Sequence, residues 1–515
     1  MGGEGRIDHY RFAGQHIYRR RYSYAIDGNR LAHSLGKIAH RCFADAFSGG
    51  YNPRVVQSGN PFFRPFSVKR NHTNRWRRWL GATLGLTALA ILVYNIPFVH
   101  DRLAWRIDDL RGQIIYFFRP PQQAVFVPQE NQAAVASATA AALTPAATRT
   151  PLPASATPAP TEPPIPPSVQ LTGFKYVDQQ GGWNLCGPAS LAVALSYWGW
   201  TGTKYDVSNY VKPGPEGISD FVERSRPDKN VMPYELEDFV DSQVPGLQAV
   251  YRVGGDLDHI KRFIAAGFPV IVEKNSKCNP GPTWCGHYLF VTGYDDAKQE
   301  FTVQDVYLKE PNLTASYDEF LAQWRGFNYL FFVIYPDDRL DEVIELLGPY
   351  NEEQWANAHA LEIAKEESTT LTGDAQYYAW FNRGSSHVGL FEYVDAAFAY
   401  DEAFRLYYEL PLDENFPFRM MWYQTGPYWA YYYSGRYNDV INLANTTLNA
   451  EAISLENGVA TLDASTLEES LYWRALARLA LGETGNAVAD LQEAVRINPN
   501  FWAGWQQLEA LGISG

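Results

Sequence analysis

The sequence predicts a multidomain protein with one apolar helix, an α+β head and an all-α helical-repeat C-terminal domain. Three observations carry this. A charge-free apolar run of about twenty residues divides the chain, strand-like runs cluster between residues 171 and 337, and helix-period runs rich in Ala, Leu, Trp and Tyr take over from 338 to 515. At 515 residues the chain is too long for a single core, and 46% hydrophobic residues with 15% aromatics supply material for more than one.

The charge is unevenly distributed. Residues 1–78 hold about 15 Lys and Arg against about four acids, roughly +11, which leaves roughly −25 for the rest of a chain whose formal charge is −14. Within 1–78, arginines alternate with aromatics in "YRRRYSYAIDGNR". This segment is read as a charged, disordered cytoplasmic tail and not as a nucleic-acid interface.

The apolar run is "WLGATLGLTALAILVYNIPFV", residues 79–99, long enough on its length alone to span a hydrocarbon core. The collar "KRNHTNRWRR" precedes it, so the positive-inside rule predicts a single-pass transmembrane helix with a cytoplasmic N-terminus and everything beyond residue 99 outside. Residues 100–118 read as an amphipathic helix lying along the outer interface. Residues 119–170, dominated by Pro, Ala and Thr, read as an extended, solvated stalk.

The head, residues 171–337, opens on "DQQGGWNLCGPASLAVALSYWGW". Leu191, Leu195 and Trp198 recur at helical spacing, which places Cys186 at the first turn of a helix. Unpaired N–H groups and the positive end of the helix dipole favour a thiolate there. Gly187 is expected to let a substrate backbone approach. Gln180, six residues upstream, is placed for its amide to donate beside the Cys186 N–H, and two such donors make an oxyanion hole.

A thiol nucleophile needs a base. "CGHYLFVTGYDDAKQEFTVQDVY" reads as a β-hairpin. Centred near Asp296, it sets His287 opposite Asp305 on one face of the sheet. The carboxylate then holds the imidazole and stabilises the imidazolium. The candidate catalytic residues are Cys186, His287, Asp305 and Gln180.

Residues 171 to about 336 resemble the papain-fold cysteine peptidases related to the bacteriocin-processing, double-glycine-leader enzymes, in their stand-alone peptidase-like branch. The resemblance rests on "QGGWNLCGPASLAVAL", "LDHIKRFIAAGFPVIVEK", "GHYLFVTGYD" and "VQDVY", in that order, followed by "SYDEFLAQW". It implies Cys186 as nucleophile, His287 as base, Asp305 as orienter and Gln180 as oxyanion donor, with no cofactor or metal. One departure stands out: relatives usually carry proline after the aspartate, and here Val306 follows. No ATPase-like segment accompanies the head, so double-glycine leader processing does not carry over.

Cys278 and Cys285 bracket the turn-rich "NPGPTW". A disulfide, two free thiols and a metal site using His287 all remain open at this point. In the acidic C-terminal region, "LEESLYWRALARLALGETGNAVADLQEAVRINPN" resembles a tetratricopeptide repeat, with a turn at Gly482 and Pro499 closing the unit. Two looser units precede it, their turns recurring every 44 to 47 residues. The aromatic set Tyr428, Trp429, Tyr431, Tyr432 and Tyr433 is read as helix-packing core in preference to a binding groove.

The expectation is a membrane-anchored, extracytoplasmic cysteine peptidase acting on a peptide or protein. Its helical repeats would bind a partner protein. The alternatives are a catalytically silent binding module and an acyltransferase built on the same Cys–His site.

Overall fold

The computed structural model describes residues 73–96, 99–100, 103, 106–107, 110, 126, 128, 164–182, 184–218, 230–277, 284–308, 310–411, 413, 415–417, 419–449 and 467–513. The expectations for the basic segment 1–72, for nearly all of the spacer 119–170 and for Cys278 lie outside the described residues.

The first element, α1, runs Thr73–Tyr94 and carries Arg75, Arg77 and Arg78 in its opening turns. It stops earlier than the apolar run. Asn95 ends it, its backbone N–H and its side-chain amide both donating to the Ile91 carbonyl, at 3.1 and 2.8 Å. Pro97 follows and disfavours helix at the residue before it. From Trp79 to Tyr94 the apolar part rises only about 24 Å, short of a hydrocarbon core of about 30 Å.

The expected transmembrane helix over 79–99 is therefore corrected. Among the described residues no helix is long and apolar enough to cross a membrane. The single-pass localisation and the extracytoplasmic placement of the head fall with it. Leu103, Arg106, Ile107 and Leu110 are helical, and the rest of 101–118 is outside the described residues. The spacer departs from the expected solvated stalk at two places. Its end, Ser168–Gln170, is a strand paired with Gly293–Asp295, with Ile165 and Val169 packed on the core of the head. Phe126 is buried, its ring 5.0 Å from that of Phe404 and 5.9 Å from that of Tyr431, and its carbonyl accepts from the Tyr408 hydroxyl at 2.6 Å.

The head is α+β. Its elements are β1 (Ser168–Gln170), α2 (Cys186–Tyr197), α3 (Lys204–Val211), α4 (Pro233–Gln243), β2 (Leu247–Arg252), α5 (Leu257–Ala265), β3 (Val270–Lys277), β4 (Trp284–Asp295), β5 (Glu300–Asp305), β6 (Glu310–Ser316), α6 (Tyr317–Trp324) and β7 (Phe331–Pro336). The strands form one antiparallel sheet in the order β2-β7-β3-β4-β5-β6, and β1 pairs with the end of β4 that β3 does not reach.

Alternation along the central strands fills two cores. Val270, Val272, Leu289, Val291, Phe331 and Val333 point into the core with α5 and α6. Ile271, Tyr288, Phe290, Phe332 and Ile334 point into the core with α2 and α4. With helices on both faces, the strands read as near-continuous apolar runs. For the same reason α2 is buried all round from Gly187 to Leu195 and is not the one-faced helix its spacing suggested.

The C-terminal region is helical: α7 (Leu340–Leu347), α8 (Glu353–Thr370), α9 (Gly373–Gly389), α10 (Tyr393–Tyr407), a single turn Met420–Tyr423, α11 (Gly426–Tyr433), α12 (Tyr437–Asn449), α13 (Glu468–Ala480), α14 (Thr484–Ile497) and α15 (Trp502–Ala510). The turns of the pairs α9–α10, α11–α12 and α13–α14 each use a left-handed residue. These are Phe391 (φ 63°), Gly435 (φ 80°) and Gly482 (φ 82°), and only glycine takes that conformation without steric cost. Of the aromatic set, Tyr428 and Tyr431 are fully buried, whereas Tyr433 is exposed. Trp429, Tyr432 and Tyr433 gather around Trp473, at ring distances of 4.7, 5.5 and 6.2 Å.

The helical domain docks on the head through polar groups. Arg325 bonds Glu367 at 2.9 Å and Asn328 bonds Ser386 at 3.0 Å. Lys212 on the head pairs with Glu468 on α13, and Asn500 donates to the Tyr210 carbonyl at 2.6 Å.

Candidate active site

Cys186 is the first residue of α2, with Leu185 as a cap that contributes no side-chain hydrogen bond. The positive end of the helix dipole therefore lies at the residue that carries the sulfur. Cys186 is partly exposed and carries a free thiol.

His287 lies near the start of β4 and is only 1% exposed. Its Nε2 is 2.9 Å from Asp305 Oδ1, and the Cys186 side chain lies near enough to help raise its pKa. With Asp305 on Nε2, the imidazole has Nδ1 left for the sulfur.

The register that produces this differs from the simple hairpin. Next to the turn, Asp295 pairs with Glu300 and Gly293 with Thr302; continued straight, that ladder would put His287 and Asp305 on opposite faces. A bulge between Val291 and Gly293 resets the pairing to Val291 with Val303 and Phe290 with Gln304. Parity is restored, and Asp305 becomes a diagonal neighbour of His287 instead of standing directly opposite.

The electrostatics follow from burial and neighbours. Burial alone would lower the His287 pKa, but the charge and hydrogen bond of Asp305, together with the Cys186 side chain, outweigh it and raise it to about 9. For Asp305, burial would raise the pKa. The His287 charge and hydrogen bond, the charge of Lys274 and the Tyr307 N–H hold it well below the usual carboxylate range. That N–H donates to Oδ1 at 2.9 Å.

Val306, where relatives usually carry proline, is fully buried under α2. Its carbonyl accepts from the Gln179 N–H at 2.8 Å, which ties the Asp305 strand to the turn carrying Gln180. That turn is braced from behind by Lys204, the first residue of α3. Its Nζ donates to the carbonyls of Asp178 and Gln180, both at 2.6 Å, and to Asp178 Oδ1 at 3.2 Å. Burial pulls the Lys204 pKa down while Asp178 pulls it up. The Gln180 N–H in turn donates to Asp178 Oδ1 at 2.9 Å.

Gly187 has a different role from the one expected. A Cβ there would come within 3.3 Å of the Tyr288 ring and of Val231, so the glycine serves close packing inside the head and not an approaching substrate. Cys285 is disulfide-bonded, which excludes it as a free thiol or metal ligand; Cys278 is outside the described residues.

Two residues near the sulfur escaped the sequence reading. Glu273 on β3 is 2% exposed, and burial followed by the charge of Cys186 raises its pKa well above the usual range, so it is held as a neutral acid. A lone glutamate inside "FPVIVEK" gives a reader no reason to single it out. Tyr423, from the helical domain, lies about 140 residues beyond the histidine, and no local pattern links the two.

No curated protein matches the chain. Among solved structures, a Bacillus anthracis protein described as a candidate C39-like peptidase aligns at 17% identity with a TM-score of 0.26, covering 33% of this chain and 97% of that one. The model of the Peptidase_C39 like family matches residues 164–330. That match, which ends before the helical domain begins, identifies the α+β head as a C39-like domain of the papain fold.

Proposed function

We propose that the head is a thiol hydrolase that cleaves peptide bonds through an acyl-enzyme on Cys186. The observation supporting this is the buried His287 Nε2–Asp305 Oδ1 pair with the Cys186 side chain beside it at the start of a helix, the aspartate strand being tied to the turn that carries Gln180. With His287 kept protonated by Asp305, the imidazolium stands ready to pair with the attacking thiolate and later to give up its proton.

The thiolate attacks the carbonyl carbon, and charge develops on the oxygen, toward which the Cys186 N–H and the Gln180 amide would donate. His287 gives its proton to the departing amine as the tetrahedral intermediate collapses to a thioester. It then takes a proton from water, the hydroxide attacks the thioester, and the thiolate leaves. Nothing in this sequence uses a metal or a cofactor. The helical domain would present the substrate.

The test is the pH dependence of Cys186 alkylation in the full chain, with and without His287→Ala. A free thiol has a pKa of about 8.5, so at pH 6 the wild type is expected to react about 100-fold faster than the variant. Equal rates and an ordinary thiol titration in both proteins would sink the proposal and leave a binding module.

A further inference from the structure

The helical domain reaches the catalytic cleft itself. The single turn Met420–Tyr423 lies between α10 and α11 and is pinned to the head at its end. Gln424 Nε2 donates to the Gly326 carbonyl at 2.7 Å. Tyr423, one residue earlier, lies against Gly286, the residue immediately before His287. A Cβ on Gly286 would stand 2.7 Å from Tyr423 Cδ1 and 2.6 Å from Phe327 Cζ. Trp284 stacks on Phe327 at 6.1 Å and meets the Tyr423 ring edge-on at 5.9 Å, and Phe327 and Tyr423 are 6.1 Å apart. The rings of Phe327 and Tyr423 thus occupy the space a side chain at 286 would take, and Trp284 packs against both.

Tyr423 is not sealed away. It is half-buried, as is Cys186, and the charge of Cys186 contributes to raising its hydroxyl pKa, second to burial. A residue with an open face, next to the base and within electrostatic reach of the nucleophile, borders the space a substrate must enter.

We propose that Tyr423 of the helical domain, backed by the buried rings of Trp284 and Phe327 of the head, forms one wall of the catalytic cleft, so that the helical domain sets which side chain fits beside the scissile bond. This rests on the hydrolase reading for its meaning, but the wall exists or does not exist independently of turnover. Tyr423 is a specificity-determining residue here; it takes no part in proton transfer.

The test compares Cys186 labelling in the full chain by iodoacetamide and by a bulky fluorescein maleimide, at one pH, with the labelled residue identified by peptide mapping. In Tyr423→Ala the bulky-to-small rate ratio is expected to rise about tenfold, with the iodoacetamide rate unchanged as the control that the head is intact. Tyr423→Phe keeps the ring and is expected to match the wild type. An unchanged ratio in Tyr423→Ala overturns the wall, as does an equal rise for both reagents. A ratio raised equally by Tyr423→Phe overturns it too, because the ring would then not be the barrier. An ordinary thiol titration in the wild type would count against the hydrolase reading alone, and the ratio would still decide the wall.

Discussion

Two buried ionic groups in this chain are built on opposite plans. At the cleft, one carboxylate faces one imidazole: Asp305 Oδ1 takes both His287 and the Tyr307 N–H. At the seam between head and helical domain, Lys212 is set among three carboxyl groups. It pairs with Glu235 at 2.8 Å and with Glu468, and Glu469 accepts from the Tyr234 hydroxyl at 3.1 Å. The first arrangement balances its charge. The second balances only by binding protons, and burial accordingly raises Glu235 to about 8 and Glu469 to about 7, Glu468 adding to both. Matched charges hold a protonation state fixed, while a surplus of one sign makes the contact depend on pH.

The signs differ in consequence. His287 has a raised pKa, so its contribution to stability is full below about 6.5 and is lost as pH rises through about 9. Glu235 and Glu469 are acids with raised values. The folded state holds their protons more tightly than the unfolded chain does, so stability falls as pH rises from about 4.5 toward 8. The largest effect should come from removing the lone lysine. Lys212→Met strands three buried carboxyls and is expected to destabilise the chain by about 3–5 kcal/mol at pH 8, with a smaller loss at pH 5 where the acids are neutral. Urea midpoints at the two pH values measure this. A pH-independent loss would show that the seam is held by packing and would erase the contrast.

The cleft responds on a different axis. Asp305→Asn removes the charge that holds the His287 proton, so the upper edge of the alkylation plateau should drop from about 9 toward the ordinary imidazole range. Labelling at pH 6 is expected to slow by about tenfold, and the urea midpoint at that pH should fall, because the His287 contribution that is full below about 6.5 depends on the Asp305 charge. A profile unchanged by the substitution would mean that Asp305 orients the ring without setting its charge.

How much of this was legible in the sequence depends on the range of the interactions. The Cys186 helix start, the β4–β5 hairpin and the Gly482 turn are local patterns, and each can be read from a window of a dozen residues. The face shared by His287 and Asp305 was reached through a direct pairing, yet it exists because of a bulge at Val291 that no residue announces. The 79–99 run failed as a membrane span because hydropathy counts residues whereas a helix needs continuity, and Asn95 and Pro97 interrupt it. Tyr423 meets Gly286 across 137 residues of chain, and Lys212 meets Glu468 across 256. Their partners are chosen by the docking of two domains, which local periodicity does not encode.

The finest way to sharpen the contrast is to change the proton affinity of the seam without changing its charge. The Tyr234 hydroxyl donates to Glu469 and lowers its pKa against the larger effect of burial. Tyr234→Phe deletes that donor and leaves the ring in place, a loss of about 1 kcal/mol. It should also push the Glu469 titration upward, because the ionised carboxylate loses a bond that the neutral acid needs less. The fall of stability with pH would then continue past pH 7 before levelling, whereas the alkylation profile of Cys186 stays as it was. Urea midpoints between pH 5 and pH 9 resolve the two curves. If the midpoints shift by a constant amount at every pH, Glu469 is not the group that titrates, and the pH dependence of the seam belongs to Glu235.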